Sequence, residues 1–343
     1  MGYKTTLKEL SELLGLSIST VSKALADSRE ISECTKERVK EVAKACNYRH
    51  NKLASGFRSG RTRSVGVVVP TLMDAYYAEV LIGIEKYLTK KGYTMMVAVS
   101  HDSTSRETHV VESLSSGYVD GLIISNASET LDKQSNTSMS VPINDGIPIV
   151  LFGRPNPMVN CDQILSNFAE ESFNLVEYLH KKRRCDNIAL IGIEDEQFNT
   201  KSKQIGYKKA ITDFGLPLPS ESIIMGHRDK IAPSIRRIVT EGKYDGILCL
   251  DHESYNMLVA LLTGFPKEYR DKLQIVTFGN TNLLKQIPPN AAMDLQAEKI
   301  GEITAKTLLK QILPRRNKKY CTKLVQGSLV NYNLNGSTEP ISH

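Results

Sequence analysis

From Ser64 onward the chain alternates short aliphatic runs with amphipathic stretches, and this alternation restricts the possible fold more than any other feature. The runs read SVGVVVP, TMMVAVS, VDGLIIS, IPIVLFG, NIALIGI, SIIMG, DGILCL and LQIVTF. The stretches between them predict helices, for example over residues 76–91 and 105–116. A repeated strand–helix–strand order predicts parallel sheets covered by helices on both faces. We expect two α/β lobes of about three to six strands each, with a cleft at the carboxyl ends of their strands.

The charge of the chain is concentrated at its amino end. Residues 1–63 contain 13 Lys and Arg against 7 Asp and Glu, whereas residues 64–343 contain 31 of each, so the first segment holds the whole formal net charge of +6. A basic module joined to a neutral body is expected when only the module contacts a polyphosphate. A basic surface that contacts only solvent would give the same charge balance. The residue pattern inside the segment distinguishes this explanation from binding to a polyphosphate.

That segment has the spacing of short amphipathic helices. Thr6 is predicted to cap a first helix, whose inner face carries Leu7, Leu10 and Leu14. Gly15 is expected to end this helix, and Ser17 to cap a second one. The inward side chains after that point are Leu16 in the turn, Val21 and Leu25 in the second helix, and Val39, Val42, Ala43 and Cys46 in a third helix that starts at Ser32.

The second helix leaves mainly small polar side chains on its outer face, namely Ile18, Ser19, Thr20, Ser22 and Lys23. Hydroxyl groups can bond phosphates, and an aliphatic and a cationic side chain near a helix start suit insertion into a major groove. Spacing alone leaves an alternative open, because short helices with small polar faces also occur in helical domains that do not bind DNA.

Length and hydropathy limit the possible domain organisation. The chain of 343 residues fits a small domain plus a two-lobed domain of about 270 residues. The longest aliphatic strings are far too short to span a bilayer, and the opening MGYKTTLKEL is polar. We therefore expect a soluble cytoplasmic protein that has no membrane partner.

Four stretches carry a resemblance to a known family: TLKELSELLGLSISTVSKAL, ISECTKERV, NYRHNKLA and RSGRTRSVGVVVP. Together they resemble the lactose-repressor (LacI/GalR) family of bacterial transcriptional regulators, and the resemblance covers nearly the whole chain. It implies an all-α helix-turn-helix head followed by a periplasmic-binding-protein-like α/β domain with parallel sheets in two Rossmann-like lobes. It also implies a sequence-specific regulator, a repressor, that binds a pseudo-palindromic double-stranded DNA operator under the control of a small-molecule effector of carbohydrate metabolism.

The resemblance assigns roles within the helix-turn-helix. Ile18, Ser19 and Lys23 fall at positions that read base edges. The positions that contact phosphates hold Ser17, Thr20 and Ser22, and Thr6 is also expected at the DNA. The family most often has Arg where this chain has Lys23. Because lysine lacks the guanidinium fork that pairs bidentately with guanine, we expect a looser or different base preference there.

Residues 51–57 match the hinge of the family, which becomes a helix in the minor groove. The DNA-contacting residues expected in and beside this hinge are Asn51, Ala54, Phe57 and Arg58. Phe57 replaces the leucine that the family wedges between base pairs, and phenylalanine can unstack a step as readily. Gly56 costs about 1 kcal/mol relative to Ala within a helix, so the hinge should depend strongly on DNA and on a partner subunit for order.

The resemblance also places effector-binding residues in the cleft. Tyr76 and Tyr77 begin the first helix of the amino lobe, where two rings could stack on a sugar or a base. Further candidates by position are Asp74, Asp102 and Arg154.

Other cleft positions depart from the family pattern. Asn167 stands in place of an aspartate and Lys203 in place of an arginine, while Asp251 with His252 and Gly279 with Asn280 replace an Asn-Asp and an Asp-Asp pair. Asn167, Lys203, Asp251, His252 and Asn280 remain candidates for effector binding. The substitutions at Asn167 and Lys203 keep polarity but lose bidentate geometry. A standard sugar is therefore in doubt, and loss of effector binding is an open alternative.

The motifs that mark common enzymes are absent from the sequence. It has no G-x-S-x-G, G-x-x-x-x-G-K-[ST], H-E-x-x-H or G-x-G-x-x-G, so we expect neither an enzyme nor a cofactor.

The six cysteines form no C-x-x-C pair, and we interpret them as buried free thiols. His101 and His109 are interpreted as surface or supporting residues rather than metal ligands, and residues 181–184 as cations that complement a helix carboxyl end.

A homodimer is expected, because operators with two half-sites mirror a two-fold symmetric protein. The tail beyond Tyr332 lacks heptad leucines, so a tetramerising coiled coil is not expected. Two other classes of protein have a cleft of this kind. A solute-binding receptor is disfavoured by the basic head, and an α/β enzyme by the missing motifs.

Overall fold

The computed structural model describes residues 5–48, 61–132, 134–193, 197–279, 288–313, 319–332 and 338–340. The chain divides into two compact units, residues 1–62 and 63–343. The predicted hinge residues Asn51, Ala54, Phe57 and Arg58, and the predicted cleft residue Asn280, lie outside the described residues.

The described part of unit 1 forms three helices: α1 (Leu7–Leu14), α2 (Ile18–Leu25) and α3 (Glu33–Ala45). Thr6, Ser17 and Ser32 cap them by accepting a backbone N–H three residues further on, and Thr6 and Glu9 form a reciprocal capping box. Gly15 ends α1 in the left-handed conformation with a φ of 64°. The predicted helix starts are therefore confirmed.

The core of unit 1 is small, and its fully buried apolar members are Leu10, Leu14, Val21, Ala24, Val39 and Ala43. The prediction from helical spacing is confirmed for these inner faces, with Leu7, Leu16, Leu25 and Val42 half-buried around them. The sequence pattern missed Lys36, whose side chain is 5% exposed and whose ammonium contacts Glu33 at 2.7 Å and Asp27 at 3.6 Å. The Lys36 ammonium therefore has two carboxylate partners, although its side chain is largely covered.

In unit 2 the amino lobe is built on a six-stranded parallel sheet in the order β11-β5-β4-β3-β1-β2. Its strands are β1 (Ser64–Val69), β2 (Thr94–Val99), β3 (Gly121–Ile124), β4 (Ile149–Phe152), β5 (Asp162–Ser166) and β11 (Thr322–Val325). Its helices are α4 (Ala75–Lys90), α5 (Thr104–Ser115), α6 (Ser128–Asp132), α7 (Thr137–Asn144) and α13 (Ala297–Ile312).

The carboxyl lobe is built on a seven-stranded sheet in the order β13-β12-β10-β9-β8-β6-β7. Its strands are β6 (Ile188–Ile193), β7 (Ile223–Gly226), β8 (Gly246–Cys249), β9 (Gln274–Phe278), β10 (Ala291–Asp294), β12 (Ser328–Tyr332) and β13 (Thr338–Pro340). Its helices are α8 (Phe168–Glu177), α9 (Gln197–Asp213), α10 (Arg228–Glu241), α11 (His252–Leu262) and α12 (Lys267–Lys272). A π-helical turn over Tyr178–Lys182 extends α8, and a 3-10 turn covers Ser220–Ser222.

The eight strands expected from aliphatic runs are all present, but the carboxyl-lobe sheet is larger than expected. Strands β10 and β12 pair antiparallel, as do β12 and β13, and these additions bring that sheet to seven strands. The sequence did not single out β5 or β10–β13, because they lack the continuous Val, Ile and Leu runs by which buried parallel strands are recognised.

Two glycines allow helices α4 and α13 to pack closely in the amino lobe. A Cβ atom on Gly83 would lie 1.9 Å from the Glu298 carbonyl oxygen, and one on Gly301 would lie 2.1 Å from the Val80 carbonyl oxygen. No L side chain fits at either contact without movement of the backbone. This packing fixes α4, which carries Tyr76 and Tyr77 at its start.

Several smaller expectations can be compared with the described residues. All six cysteines are free, but Cys34 and Cys321 are exposed and Cys46 is half-buried, so the expectation that every thiol is buried is wrong for these three. His101 and His109 are exposed, and the described residues contain no group of His, Cys, Asp and Glu suited to a metal ion. None of the described helices is long and apolar enough to cross a bilayer.

Candidate DNA-binding surface and effector cleft

Helix α2 presents the side chains that the sequence predicted on its outer face. Ser19 and Lys23 are exposed, Ile18 is 40% exposed, and Thr20 and Ser22 are half-buried. The inner face of the same helix buries Val21 and Ala24 completely. The helix is thus held by its apolar face, and its polar face is accessible.

The hydroxyl groups at the start of α2 bond one another. Ser17 Oγ caps the Thr20 N–H at 3.1 Å and lies 2.9 Å from Ser19 Oγ and 2.8 Å from Thr20 Oγ1. Hydroxyls can exchange such partners for phosphate oxygens, and a helix amino terminus favours an anion. This end of α2 is chemically suited to a DNA phosphate.

Charged side chains at the other end of α2 form two separate groups. Lys23 Nζ contacts Glu30 Oε2 in an exposed ion pair. Asp27 contacts Lys40 at 3.1 Å and Lys36 at 3.6 Å, and the hydrogen bond from Lys40 and the charge of Lys36 lower the pKa of Asp27. The cation predicted to read a base therefore already has an anionic partner within unit 1.

In the amino lobe, the candidate cleft residues follow the carboxyl ends of strands β1, β2 and β4. Asp74 caps α4 by accepting the Tyr76 N–H at 2.9 Å. The Tyr76 hydroxyl lies near the turn after β4, 3.3 Å from the position of a Cβ atom on Gly153. Its ring centroid is 5.3 Å from that of Tyr77 and 6.5 Å from that of Phe168, which begins α8 in the carboxyl lobe.

Tyr77 has a different environment from Tyr76. It is fully buried in the amino-lobe core and packs edge-on against Phe152, with ring centroids 6.2 Å apart. Tyr76 is 9% exposed and lies where the two lobes meet. Of the two rings, Tyr76 is therefore the one at the boundary between the lobes.

Arg154 and Asp102 are brought together by the fold. The Arg154 side chain is 1% exposed, and its Nη1 donates to Asp102 Oδ1 and to the Asn126 carbonyl oxygen, the latter at 2.8 Å. Asp102 also accepts from the Ser128 N–H and hydroxyl at 3.0 and 3.1 Å. The pair ties the loops after strands β2, β3 and β4 to one another.

Glu107, which sequence reasoning missed, forms hydrogen bonds with the loop after β3. It is fully buried on α5 and accepts hydrogen bonds from the Ala127 N–H, the Thr130 hydroxyl and the Ser138 hydroxyl, at 2.5, 3.1 and 2.6 Å. Burial raises the pKa of the Glu107 carboxyl, and these donors act against that rise. A single acidic residue in an amphipathic helix gives no sign of burial in a sequence.

In the carboxyl lobe, Lys203 points at a carbonyl and two aromatic rings. It is 8% exposed, and its Nζ donates to the Leu250 carbonyl oxygen at 2.6 Å. The same atom lies 4.4 Å from the Phe278 ring centroid and 5.3 Å from that of Phe168, and both rings provide cation–π contacts. Lys203 thus lies beside Phe168, at the boundary that Tyr76 reaches from the other lobe.

Two other predicted cleft residues cap helices. Asn167 Oδ1 accepts the Glu170 N–H at 3.4 Å at the start of α8. Asp251 accepts the Ser254 N–H at 2.7 Å at the start of α11 and the Ile193 N–H at 2.9 Å at the end of β6. Their carboxamide and carboxylate groups therefore have structural partners in this conformation.

His252 and Asp74 are close enough across the lobes to influence each other electrostatically. Burial lowers the pKa of His252, and the negative charges of Asp251 and Asp74 oppose that effect. The Nδ1 atom of His252 is buried and has no hydrogen-bond partner among the described residues. The lowered pKa favours the neutral form of the His252 ring, which has one nitrogen buried in the protein.

Glu171 is a second buried acid that sequence reasoning missed, and it lies where the chain crosses between the lobes. It is 1% exposed on α8, and its Oε1 accepts the Gly327 N–H at 2.9 Å in the crossover between β11 and β12. The neighbouring crossover is joined to this one by Gln296 Nε2, which donates to Ser328 Oγ at 3.0 Å. Burial raises the pKa of Glu171 to about 7, while the Gly327 hydrogen bond and the charge of Lys203 act in the opposite direction.

These two units define a class of protein: a helix-turn-helix head with an exposed polar helix, followed by a two-lobed α/β domain with polar and aromatic side chains between its lobes. Comparison with family models agrees with this class. Residues 6–51 match the model described as bacterial regulatory proteins, lacI family, and residues 62–234 match periplasmic binding proteins and sugar binding domain of LacI family. The chain belongs to the LacI family of bacterial regulatory proteins and is a DNA-binding transcription regulator.

Relatives of known function are similar over most of their length. Catabolite control protein A of Staphylococcus xylosus is 26% identical over 295 residues, which cover 85% of this chain and 87% of that protein. The transcriptional regulator MalR of Streptococcus pneumoniae is 24% identical over 327 residues, which cover 92% and 94%. Both are regulators and not enzymes by name.

Solved structures share the fold. A LacI-family transcriptional regulator from Silicibacter pomeroyi matches with a TM-score of 0.77 and 20% identity over 95% of this chain and 98% of that chain. The transcriptional regulator CelR in complex with cellobiose matches with a TM-score of 0.66 and 18% identity over the same shares of the two chains.

Proposed function

We propose that this regulator is a repressor whose head binds a pseudo-palindromic operator and whose cleft binds a carbohydrate or a carbohydrate derivative. DNA binding is supported above all by the two faces of α2, which buries Val21 and Ala24 and exposes Ser19 and Lys23. In this proposal Ile18, Ser19 and Lys23 contact base edges, and Ser17, Thr20 and Ser22 contact phosphates, with Thr6 nearby.

The domain division is part of the same proposal. Residues 1–49 form the head, residues 50–63 the hinge and residues 64–343 the sensing domain. Asn51, Ala54, Phe57 and Arg58 are proposed as minor-groove contacts. The site of action is the cytoplasm, where bacterial chromosomal DNA is found, and no catalytic step is proposed for the cleft.

The sugar assignment is supported by the side chains at the lobe boundary and by similar proteins. Tyr76 and Phe168 bring aromatic rings to the lobe boundary from opposite lobes, and a sugar ring can stack on an aromatic face. Solved relatives of the same fold were obtained with cellobiose, ribose and fructose 1-phosphate. The proposed polar contacts are Asp74, Asp102, Arg154, Lys203 and His252, with Asn167, Asp251 and Asn280 at the cleft rim and Tyr77 supporting Tyr76.

A homodimer is proposed as the DNA-binding form. Strand β2 is an edge of the amino-lobe sheet and exposes Met96 (37%) and Val97 (41%), and the neighbouring helix α4 exposes Ile82 (47%). An apolar edge strand is a surface that a partner is expected to cover. Sedimentation should show a dimer at micromolar concentration, and Val97→Lys should shift the equilibrium toward the monomer.

The function is tested by a mobility-shift assay on the upstream region of the gene, repeated with a panel of sugars, sugar phosphates and nucleosides. The proposal predicts that a fragment is retained at low salt and that one class of sugar changes its affinity. If DNA binds but every carbohydrate leaves the affinity unchanged, the carbohydrate half of the proposal is wrong.

A further inference from the structure

We propose that Glu30 determines specificity at the DNA-binding surface, by competing with backbone phosphates for Lys23 and so weakening binding to non-operator DNA more than binding to the operator. The inference rests on the proposed role of α2 as the base-reading helix. It adds a residue that lies outside that helix.

Backbone hydrogen bonds within unit 1 fix the position of Glu30. The turn after α2 closes through the Ser28 N–H, which donates to the Lys23 carbonyl oxygen at 3.0 Å. The Glu30 N–H then donates to Ser28 Oγ at 3.3 Å, and the Ile31 N–H donates to the Ser28 carbonyl oxygen at 3.3 Å. Ile31 packs against the core of the unit, so the backbone on both sides of Glu30 is anchored.

Among the acids near the end of α2, Glu30 is the one that contacts Lys23. Asp27, the nearest acid in the same turn, contacts Lys36 and Lys40. Glu30 contacts Lys23, and the two side chains are 68% and 51% exposed. Both therefore lie on the surface that α2 presents to solvent, where DNA would approach.

Competition by Glu30 acts differently on the two kinds of complex. In a non-specific complex the partners of Lys23 are phosphate oxygens, and the same phosphates repel the adjacent carboxylate. In an operator complex the Lys23 ammonium donates to a guanine acceptor and, having three donors, keeps Glu30 as well. A carboxylate can also accept from the amino group of cytosine, so its presence in the groove is compatible with a G·C pair.

The test compares full-length wild type with Glu30→Gln, which removes the charge and keeps the shape. The operator probe is the duplex that the wild-type chain enriches from a randomised pool, and the non-specific probe is a scrambled duplex of equal length. Glu12→Gln is the matched control, because Glu12 is an exposed acid on α1 and its substitution changes the net charge equally.

We expect Glu30→Gln to bind the scrambled duplex about threefold or more tightly than wild type and to bind the operator within about twofold of it. The salt dependence of scrambled-duplex binding should steepen by about one ion. In a Lys23→Met background the effect of Glu30→Gln on the scrambled duplex should shrink, since the competition needs the ammonium.

Equal changes on both probes, or an effect equal to that of Glu12→Gln, would overturn the proposal. So would loss of operator affinity with unchanged scrambled binding, since that result would make Glu30 a plain base contact. If the wild type enriches no duplex, the proposed function fails separately, and the scrambled-duplex comparison with the Lys23→Met background still decides the role of Glu30.

Discussion

The Arg154 guanidinium donates to the Asp102 carboxylate, so two side chains predicted to bind the effector are bound to each other. Arg154 is buried, whereas the Asp102 side chain is 34% exposed. The exposed side of Asp102 is the part of the pair that a ligand can reach. Ligand binding at this point would therefore act on the loops after β2, β3 and β4 together.

Replacing Asp102 by Ala should destabilise the amino lobe, because it leaves the buried Arg154 charge with fewer acceptors. Loss of one member of a fully buried pair typically costs 3–5 kcal/mol, and partial exposure of Asp102 reduces the expected cost to about 1–3 kcal/mol. The midpoint of thermal unfolding of unit 2 measures this loss of stability. Glu112→Ala, an exposed acid on α5, should leave the midpoint unchanged, and equal midpoints for both variants would contradict this prediction.

Glu171→Gln should flatten the pH dependence of stability. Because the folded pKa of Glu171 is raised from 4.5 to about 7, the folded state holds its proton over a range in which the unfolded state has lost it. The free energy of unfolding of the wild type therefore falls as the pH rises from about 4.5 to 7, by at most about 3 kcal/mol. Glu171→Gln removes this loss while keeping an acceptor for the Gly327 N–H.

Urea unfolding at about pH 5 and pH 8 tests that difference. Wild type and Glu171→Gln should have similar stability at the lower pH, and the variant should be the more stable at the higher pH. Glu268→Gln, at an exposed acid on α12, is the control and should follow the wild type at both. A constant offset between wild type and Glu171→Gln would show that the carboxyl does not titrate in this window.

Leu10→Ala should unfold the head while the sensing domain remains folded. Leu10 is fully buried in a core of six small or medium side chains, and a buried Leu→Ala change costs about 2–5 kcal/mol. A domain this small has a low free energy of unfolding. Operator binding should be lost, whereas Leu13→Ala on the same helix, at a side chain 66% exposed, should retain it. Retention of operator binding by Leu10→Ala would contradict the assignment of this core.

The sequence could predict the head because local signals there agree with one another. Thr6, Ser17 and Ser32 are capping residues placed immediately before apolar residues of helical period, and each one caps its helix. The Lys23–Glu30 contact could not be predicted in this way, because the residues are seven apart and belong to different elements.

The cleft was harder to predict for a physical reason. The sequence placed Asp102 and Arg154 each after a predicted strand, but it could not show that the two side chains satisfy each other. Glu107 and Glu171 look like surface acids of amphipathic helices, and only the three-dimensional packing of loops and crossovers over them makes them buried. Burial of a single polar residue leaves no periodic signal.

Gly301→Ala should disrupt the contact between α4 and α13. Alanine favours an isolated helix by about 1 kcal/mol over glycine, so a net loss of stability would show that the clash with the Val80 carbonyl exceeds this gain. We expect a lower melting temperature and weaker effector binding, because α4 carries Tyr76. Gly264→Ala is the control, since its Cβ would meet only the Leu261 carbonyl oxygen, at 3.6 Å. Equal melting temperatures for the two variants would contradict the close helix contact.

We propose that this chain reads DNA through α2 and changes its affinity for DNA when a carbohydrate occupies the cleft. The most direct measurement is the binding isotherm of the full chain on the DNA upstream of its gene, as a function of salt and with each sugar of the panel. Binding should weaken steeply with salt, should be lost in Leu10→Ala, and should shift by about 5- to 150-fold with one sugar class. Retention of no fragment even at low salt would contradict DNA recognition by this chain.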